Sequence, residues 1–202
     1  YSEALRNDMQ ASIEMALVDP LTGLNKRRYL DMRLPSLLEE SARRARPLAL
    51  MALDIDRFKS VNDGFGHDAG DDVLRTFAQR VKNAVREGDL LCRLGGEEFV
   101  VLLRGERTLE RAEALRQAIP LRIAQDVPGL ELPVTASMGV IMLAPAHRHS
   151  MAFAEFYARA DALMYEAKAS GRNRLAYERV TVFSEPPAAR SERDGRDGDR
   201  QN

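Results

Sequence analysis

Leu48-Ala49-Leu50-Met51-Ala52-Leu53 is an unbroken apolar run that leads into Asp54-Ile55-Asp56. A run of this kind, without polar alternation, reads as a buried central strand. Asp54 and Asp56 are two apart, so they face one side for as long as the strand continues. A single carboxylate at a strand end can cap the next turn. Two of them above an apolar strand need a partner, because an unpaired buried charge is costly. Mg²⁺ suits the position, since it takes one or two protein carboxylates plus phosphate and water oxygens.

A second acidic pair follows further along. In Cys92-Arg93-Leu94-Gly95-Gly96-Glu97-Glu98-Phe99-Val100-Val101-Leu102-Leu103, two apolar runs flank a Gly-Gly pair. The pair supplies the positive φ angles of a two-residue hairpin turn. Glu97 and Glu98 are poor strand formers and repel each other at the hairpin mouth. A divalent cation would offset that repulsion; a solvated hairpin with a charged tip is the other reading. The formal net charge of −1 argues against nucleic-acid binding through bulk charge, so an anionic ligand must be held by local groups. Cys92 stands alone, which leaves no disulfide framework and no paired-cysteine metal motif, and points to a reducing, cytoplasmic setting. No apolar run approaches the roughly 18 residues of a membrane span, and no signal peptide is recognisable. The chain starts without Met inside a helical pattern, so it is expected to be a piece of a longer protein.

In the first 17 residues, Leu5, Met9, Ser12, Ile13, Ala16 and Leu17 recur at helical steps, with weak heptad character. Asp19-Pro20 ends that helix. It either packs on its own domain or closes a coiled-coil stalk from an upstream regulator. After the compact turn Asp19-Pro20-Leu21-Thr22-Gly23-Leu24, a helix is expected over Lys26–Arg44, burying Leu30, Leu34, Leu37, Leu38 and Ala42. Its basic start, Lys26-Arg27-Arg28, is a solvated first turn or a phosphate contact. The segment Arg57 to Asp71 reads as a shaped, glycine-rich loop. Asn62 and Asp71 suit a purine edge, because an amide donates and accepts while a carboxylate accepts from guanine N–H groups. Asp71 also suits the N-cap of a helix Asp72–Arg86. His67 alone in such a loop is more often structural. Arg86 and Asp89, three apart at a chain reversal at Gly88, form a donor-acceptor pair or a plain surface salt bridge.

Further on, the pattern predicts a helix over Leu109–Ile119, a strand over Leu132–Leu143 loosened at Gly139, a loop over Ala144–His149, a helix over Phe153–Ser170 and a strand over Arg174–Phe183. Lys168 and Arg172 suit the C-terminal dipole of the last helix, or a triphosphate. From Ser184 the chain is Pro, Gly and charge, which predicts a disordered tail over 184–202.

Taken together, these motifs resemble one family, the GGDEF domain of diguanylate cyclases, over about Asp19 to Tyr177. Asp19-Pro-Leu-Thr-Gly-Leu24 is similar to its opening. Asp54-Ile-Asp-Arg-Phe-Lys59, Asn62-Asp-Gly-Phe-Gly-His67 and Gly70-Asp71 are similar to its metal and guanine segment. Gly95-Gly-Glu-Glu-Phe99 is the GGEEF form of its signature, and Lys168-Ala-Ser-Gly-Arg-Asn173 is similar to its closing phosphate segment. One departure is Lys26, where the opening more often carries Asn.

The resemblance implies an α/β (α+β) fold: a mostly antiparallel central sheet wrapped by helices, like a nucleotidyl-cyclase palm. It implies residues 1–18 as a signalling or stalk helix, 19–183 as the catalytic domain and 184–202 as the tail. The implied activity joins two GTP into cyclic di-GMP, releasing two pyrophosphates, by attack of a ribose 3′-hydroxyl on an α-phosphate across a homodimer. Asp54 and Glu97 would hold two Mg²⁺ or Mn²⁺ per half-site, with the Ile55 carbonyl and Glu98 in support. Glu97 would take the 3′-hydroxyl proton. Lys59, Lys168 and Arg172 would hold phosphates, and Asn62 and Asp71 would read guanine. Phe58, His67, Gly95 and Gly96 complete the substrate-binding set. Arg86 and Asp89 match the family's inhibitory product site, which would bind cyclic di-GMP. A related subgroup making mixed cyclic GMP-AMP replaces the guanine-reading Asp; Asp71 is retained here. The chain would then sit in the cytoplasm, anchored or not through parts beyond this sequence, behind an upstream sensory domain, with no nucleic-acid partner. The rival reading is a catalytically silent module that binds GTP or cyclic di-GMP. A polymerase-like nucleotidyltransferase is disfavoured, since the net charge offers no basic strand-binding surface.

Overall fold

The computed structural model describes residues 2–119, 133–144 and 153–180. Within these, six helices and six strands follow one another as α1 (Ser2–Leu17), β1 (Asn25–Lys26), α2 (Arg27–Arg43), β2 (Leu48–Ile55), α3 (Phe58–Phe65), α4 (His67–Ala84), β3 (Leu90–Gly95), β4 (Glu98–Arg104), α5 (Thr108–Ala118), β5 (Ala136–Leu143), α6 (Phe153–Ala169) and β6 (Leu175–Val180). No described helix is long and apolar enough to cross a membrane.

The strands form one sheet in the order β1-β3-β4-β2-β5-β6. The three inner junctions, β3 with β4, β4 with β2 and β2 with β5, are antiparallel. The two outer ones, β1 with β3 and β5 with β6, are parallel. The apolar run of β2 therefore lies in the interior of the sheet, and all eight of its residues are buried.

Alternation along β2 splits the core into two layers. Ala49, Met51, Leu53 and Ile55 face Val73, Phe77 and Val81 of α4 and Leu115 of α5. Leu48, Leu50 and Ala52 face Leu30 and Leu34 of α2 and Phe156 and Met164 of α6. Phe77 and Phe99, both fully buried, tilt against each other with ring centroids 4.8 Å apart. Truncating either ring to Ala would cost about 3–5 kcal/mol. Asp54 continues the α2/α6 face of β2, which decides where its carboxylate emerges.

Several local expectations are corrected. The segment after Asp56 is not a loop: α3 occupies Phe58–Phe65, and Gly66, at φ 89°, separates it from α4. Since α4 starts at His67, Asp71 lies inside it and does not cap it. The same helix ends at Ala84, before Arg86. The second central residue of the hairpin turn is Glu97, because Gly95 pairs with Glu98 after a register shift beyond Arg93. Gly95 (φ 152°) and Gly96 (φ 49°) still supply conformations that side chains resist.

Gly139 does not loosen β5, since it pairs in register with Ala52. It is small because α6 crosses it: a Cβ there would lie 1.9 Å from the Ala160 carbonyl oxygen and 2.5 Å from the Met164 nitrogen. Strand β5 starts at Ala136; Leu132 lies outside the described residues, as do most of the loop Ala144–His149, Thr181–Phe183 and the tail 184–202.

Helix α1 forms as the apolar spacing predicts, but it buries none of its residues. Leu5 and Met9 are each 67% exposed. It joins the domain through a bridge between Val18 and Asn25 and through Lys26, whose Nζ donates to the Met15 carbonyl at 3.1 Å. The one departure from the family opening therefore caps the last turn of this helix.

Candidate functional site

The end of β2 gathers the acidic groups. Asp54 pairs across the sheet with Glu98 on one side and Ser137 on the other. Side chains directly opposite in antiparallel strands share a face, so the Asp54 and Glu98 carboxylates are neighbours, and like charges so placed repel. Glu97 sits in the turn, and its carbonyl accepts the Ile55 N–H at 3.3 Å, which folds the hairpin tip over the strand end. Lys168, in the last turn of α6, donates from Nζ to Asp54 Oδ2 at 3.0 Å. Burial, with Glu97 and Glu98 adding to it and Lys168 opposing it, leaves the Asp54 carboxyl pushed up to about 6. The charge of Asp54 is thus only partly compensated by protein groups.

Asp56 differs. It is buried, and its carboxylate accepts hydrogen bonds from the hydroxyls of Ser137 and Thr135 and from the Asn173 backbone N–H. The two aspartates at the strand end therefore have different tasks, and the partner expected for Asp56 is the protein itself. One signal for this was present in the sequence: Ser137 is a lone polar residue in an otherwise apolar stretch, Ala136–Leu143.

Among the described residues, no three acidic, histidine or cysteine side chains are gathered closely enough to enclose a metal ion. The donors nonetheless fit a hard divalent cation. Asp54 is an under-compensated carboxylate beside a second one, and such ions bind through one or two carboxylates with phosphate oxygens completing the shell. Asp54, Glu97, Glu98 and the Ile55 carbonyl are the groups available at this end of the sheet.

The next residues line up behind the strand. Helix α3 opens after Arg57, which takes a left-handed conformation and gives no side-chain cap. Lys59 lies exposed in that uncapped first turn, and Phe58 is buried beneath it. An uncapped helix start next to a lysine favours an anion. The Asn62 side chain lies against Gly70, where a Cβ would sit 1.8 Å from Asn62 Oδ1, one residue before Asp71. The two expected purine readers are thus brought together by the close crossing of α3 and α4. His67 begins α4 and is exposed. Arg172 is exposed in the segment after α6, with φ 62°.

An arginine beside the glycine pair was not singled out from the sequence. Arg93 donates to the Gly96 carbonyl at 3.0 and 2.8 Å and to Asp19 Oδ2 at 3.0 Å. Asp19 also accepts from the Thr22 N–H and hydroxyl. Burial alone pushes the Asp19 carboxyl up, but Thr22 and Arg93 outweigh it and hold it below its ordinary value. No local pattern reveals this pair, because its members stand 74 residues apart.

Arg86 and Asp89 are placed away from these groups. Asp89 accepts from the N–H of Arg104, the last residue of β4, whereas Glu98 is its first. The strand separates them by roughly 20 Å. Asp89 also accepts from the Arg86 N–H at 2.8 Å and from the Arg111 guanidinium, and its side chain is 2% exposed. Arg86 is exposed and borders a concavity of about 290 Å³ with Arg44, Arg46 and Arg104.

Residues 16–174 match the family model described as diguanylate cyclase, GGDEF domain. The response regulator PleD of Caulobacter vibrioides is 43% identical over 180 residues, covering 86% of this chain and 38% of PleD. The diguanylate cyclase DgcP of Pseudomonas aeruginosa is 38% identical over 180 residues, covering 86% of this chain and 26% of DgcP. The chain thus spans well under half the length of these relatives. Among solved structures, the coiled coil and GGDEF domain of DgcB from Caulobacter crescentus, in complex with c-di-GMP, superposes with a TM-score of 0.77 at 28% identity, covering 88% of this chain and 93% of that one. The diguanylate cyclase SiaD from Pseudomonas aeruginosa, in complex with its activator SiaC, superposes with a TM-score of 0.70 at 38% identity, covering 88% of this chain and 68% of that one.

Proposed function

The chain belongs to the diguanylate cyclase GGDEF family, and from that membership we propose that it converts two GTP into cyclic di-GMP and two pyrophosphates. The observation that carries this reading is the buried Asp54 beside Glu98, opposed by Lys168 and overhung by the turn that bears Glu97. A receptor for nucleotide alone has no use for such an under-compensated acidic cluster, which counts against the silent-module reading.

In this proposal each copy holds one GTP. Asn62 and Asp71 read the guanine, beside His67 and the buried Phe58. Lys59, Lys168 and Arg172 hold the phosphates, and Gly95 and Gly96 let the nucleotide approach the backbone. Two copies face each other, so that the 3′-oxygen of one GTP attacks the α-phosphorus of the other. The new O–P bond forms as the bond to the β-phosphate bridge breaks, and pyrophosphate leaves with that electron pair. Glu97 takes the 3′-hydroxyl proton. Asp54, Glu97, Glu98 and the Ile55 carbonyl would hold two Mg²⁺ or Mn²⁺, which neutralise phosphate charge and align the reacting oxygens. Lys168 leaves Asp54 for the phosphates when the nucleotide enters.

Cyclic di-GMP acts as inhibitor at Arg86 and Asp89, at the other end of β4. Arg86 is exposed for this, while Asp89 must share its carboxylate with Arg111. Helix α1 serves as the end of a stalk from an upstream sensory domain. Its exposed Leu5 and Met9 support that role, and so does the presence of a coiled coil together with the GGDEF domain in the DgcB structure.

The decisive assay measures nucleotide products from GTP and Mg²⁺ against protein concentration. Cyclic di-GMP formation that rises faster than protein concentration is expected. A demonstrated dimer that binds GTP and yields no product would establish the silent module instead.

A further inference from the structure

Side chains without a role in the proposed chemistry form a continuous path from α5 to the end of β2, and the path ends on Asp56. Ser137 Oγ donates to Asp56 Oδ1 at 2.6 Å. Thr135 Oγ1 and the Asn173 backbone N–H donate to Oδ2 at 2.7 and 3.0 Å. From the opposite side, Arg116 Nη1 donates to the Asn173 carbonyl and to Asn173 Oδ1, both at 3.1 Å. Arg116 is itself held by Glu113, whose carboxylate accepts from Nε at 3.1 and 2.9 Å.

The segment gripped between these groups is Gly171-Arg172-Asn173, with φ of 117°, 62° and 46°. Two successive non-glycine residues in the left-handed region are unfavourable, and such a backbone persists only where its surroundings over-determine it. The Arg172 N–H is tied back to the Ala167 carbonyl at 3.0 Å, so the segment is fixed on the α6 side as well.

We infer that Asp56 is a positioning residue for nucleotide binding, holding the Arg172 backbone in the conformation that presents its guanidinium to the phosphates. The inference rests on the reading of Arg172 as a phosphate-holding group. It gives the strand end a second duty: Asp54 faces the reaction, while Asp56, two residues on, locks the arginine segment to the same sheet. Ordering that segment in advance lowers the entropy lost when the triphosphate binds.

Asp56→Asn tests this, because it preserves shape. The amide oxygen can still face the Asn173 N–H and Thr135 while the Ser137 hydroxyl turns to accept, so what the variant removes is the negative charge that strengthens these hydrogen bonds. Binding is measured by calorimetry on the full-length protein, with the non-cleavable α,β-methylene analogue of GTP and separately with guanosine. Asp56→Asn is expected to weaken the triphosphate about tenfold and to leave guanosine unchanged. In an Arg172→Ala background the same change should cost less than about twofold, because the group it acts through is gone. Equal weakening in both backgrounds, or equal loss for guanosine and triphosphate, would overturn the clamp and leave the phosphate reading of Arg172 standing. So would a shifted Mg²⁺ dependence at unchanged triphosphate affinity. Arg172→Ala with unchanged triphosphate affinity would remove that reading, and the clamp with it. Should Asp56→Asn fail to fold, Arg116→Ala releases the far side of the segment without touching β2. It should weaken the triphosphate about threefold and spare guanosine; no change in triphosphate affinity would overturn the clamp.

Discussion

Lys168 Nζ and Asp54 Oδ2 stand 3.0 Å apart, joining the last turn of α6 to the end of β2. The pair leaves Asp54 short of full compensation, since its carboxyl is still pushed up to about 6 by burial. Its ordinary value is 3.8, so the fold prefers the protonated form. The stability this group contributes is present in full below pH 3.8 and is lost as the pH rises through about 6.

In protein free of nucleotide and metal, Asp54→Asn should therefore stabilise the fold at pH 7.5, by about 1–2 kcal/mol. At pH 3.5 the gain should vanish. Urea unfolding at the two pH values checks both size and sign. A loss of stability at pH 7.5 would mean that the ion pair with Lys168 outweighs the burial of Asp54.

Glu97→Gln should lower turnover by about 10²–10⁴-fold, the usual worth of a positioned proton acceptor. GTP affinity should remain measurable, because the turn is held through the Glu97 carbonyl and through Arg93, neither of which the substitution alters. Product formation and GTP binding are read on the same sample. Retained turnover removes Glu97 from the chemistry.

Arg86 and Asp89 should separate on substitution. Arg86→Ala removes an exposed side chain and should shift stability by less than about 0.5 kcal/mol while relieving inhibition by cyclic di-GMP. Asp89→Ala takes the side-chain acceptor from the Arg104 and Arg86 N–H groups and the counter-charge from Arg111, which keeps its bond to the Arg104 carbonyl, and should destabilise by about 3 kcal/mol with or without the ligand. Inhibition curves and thermal unfolding of both variants test this. Undiminished inhibition in Arg86→Ala would return that residue to the solvated surface.

Gly139→Ala inserts a methyl where the Ala160 carbonyl and the Met164 nitrogen already stand. Both obstacles are backbone, so α6 must lift. A loss of about 3 kcal/mol is expected, at the upper end for overpacking. Because Lys168 rides on that helix, GTP affinity should fall as well. Unfolding and nucleotide titration report the two effects, and an unchanged midpoint would contradict the close crossing.

The sequence makes the buried strand at 48–55, the paired acids and most helix spans legible, because each is written in local period or in adjacent residues. It also yields Asn62 and Asp71 as a pair, though not the reason they meet: that depends on Gly70, whose missing side chain admits Asn62. Gly139 is misread as a loosened strand, since nothing local distinguishes a bulge from a helix crossing. The tasks of Asp54 and Asp56 look alike in sequence and diverge only through Thr135, Ser137 and Asn173, which are distant in the chain. Strand order likewise depends on long-range pairing and is not legible in the pattern; the family resemblance supplies only the mostly antiparallel sheet wrapped by helices.

Arg93 touches Asp19, where the chain leaves α1, and Gly96, in the turn that carries Glu97. One guanidinium, carried on the edge-side strand β3, thus fastens the exit of α1 and the turn that bears Glu97 to each other. Under the proposed stalk reading of α1, a displacement of that helix would reach the signature turn through this side chain, with the inner strands left in place.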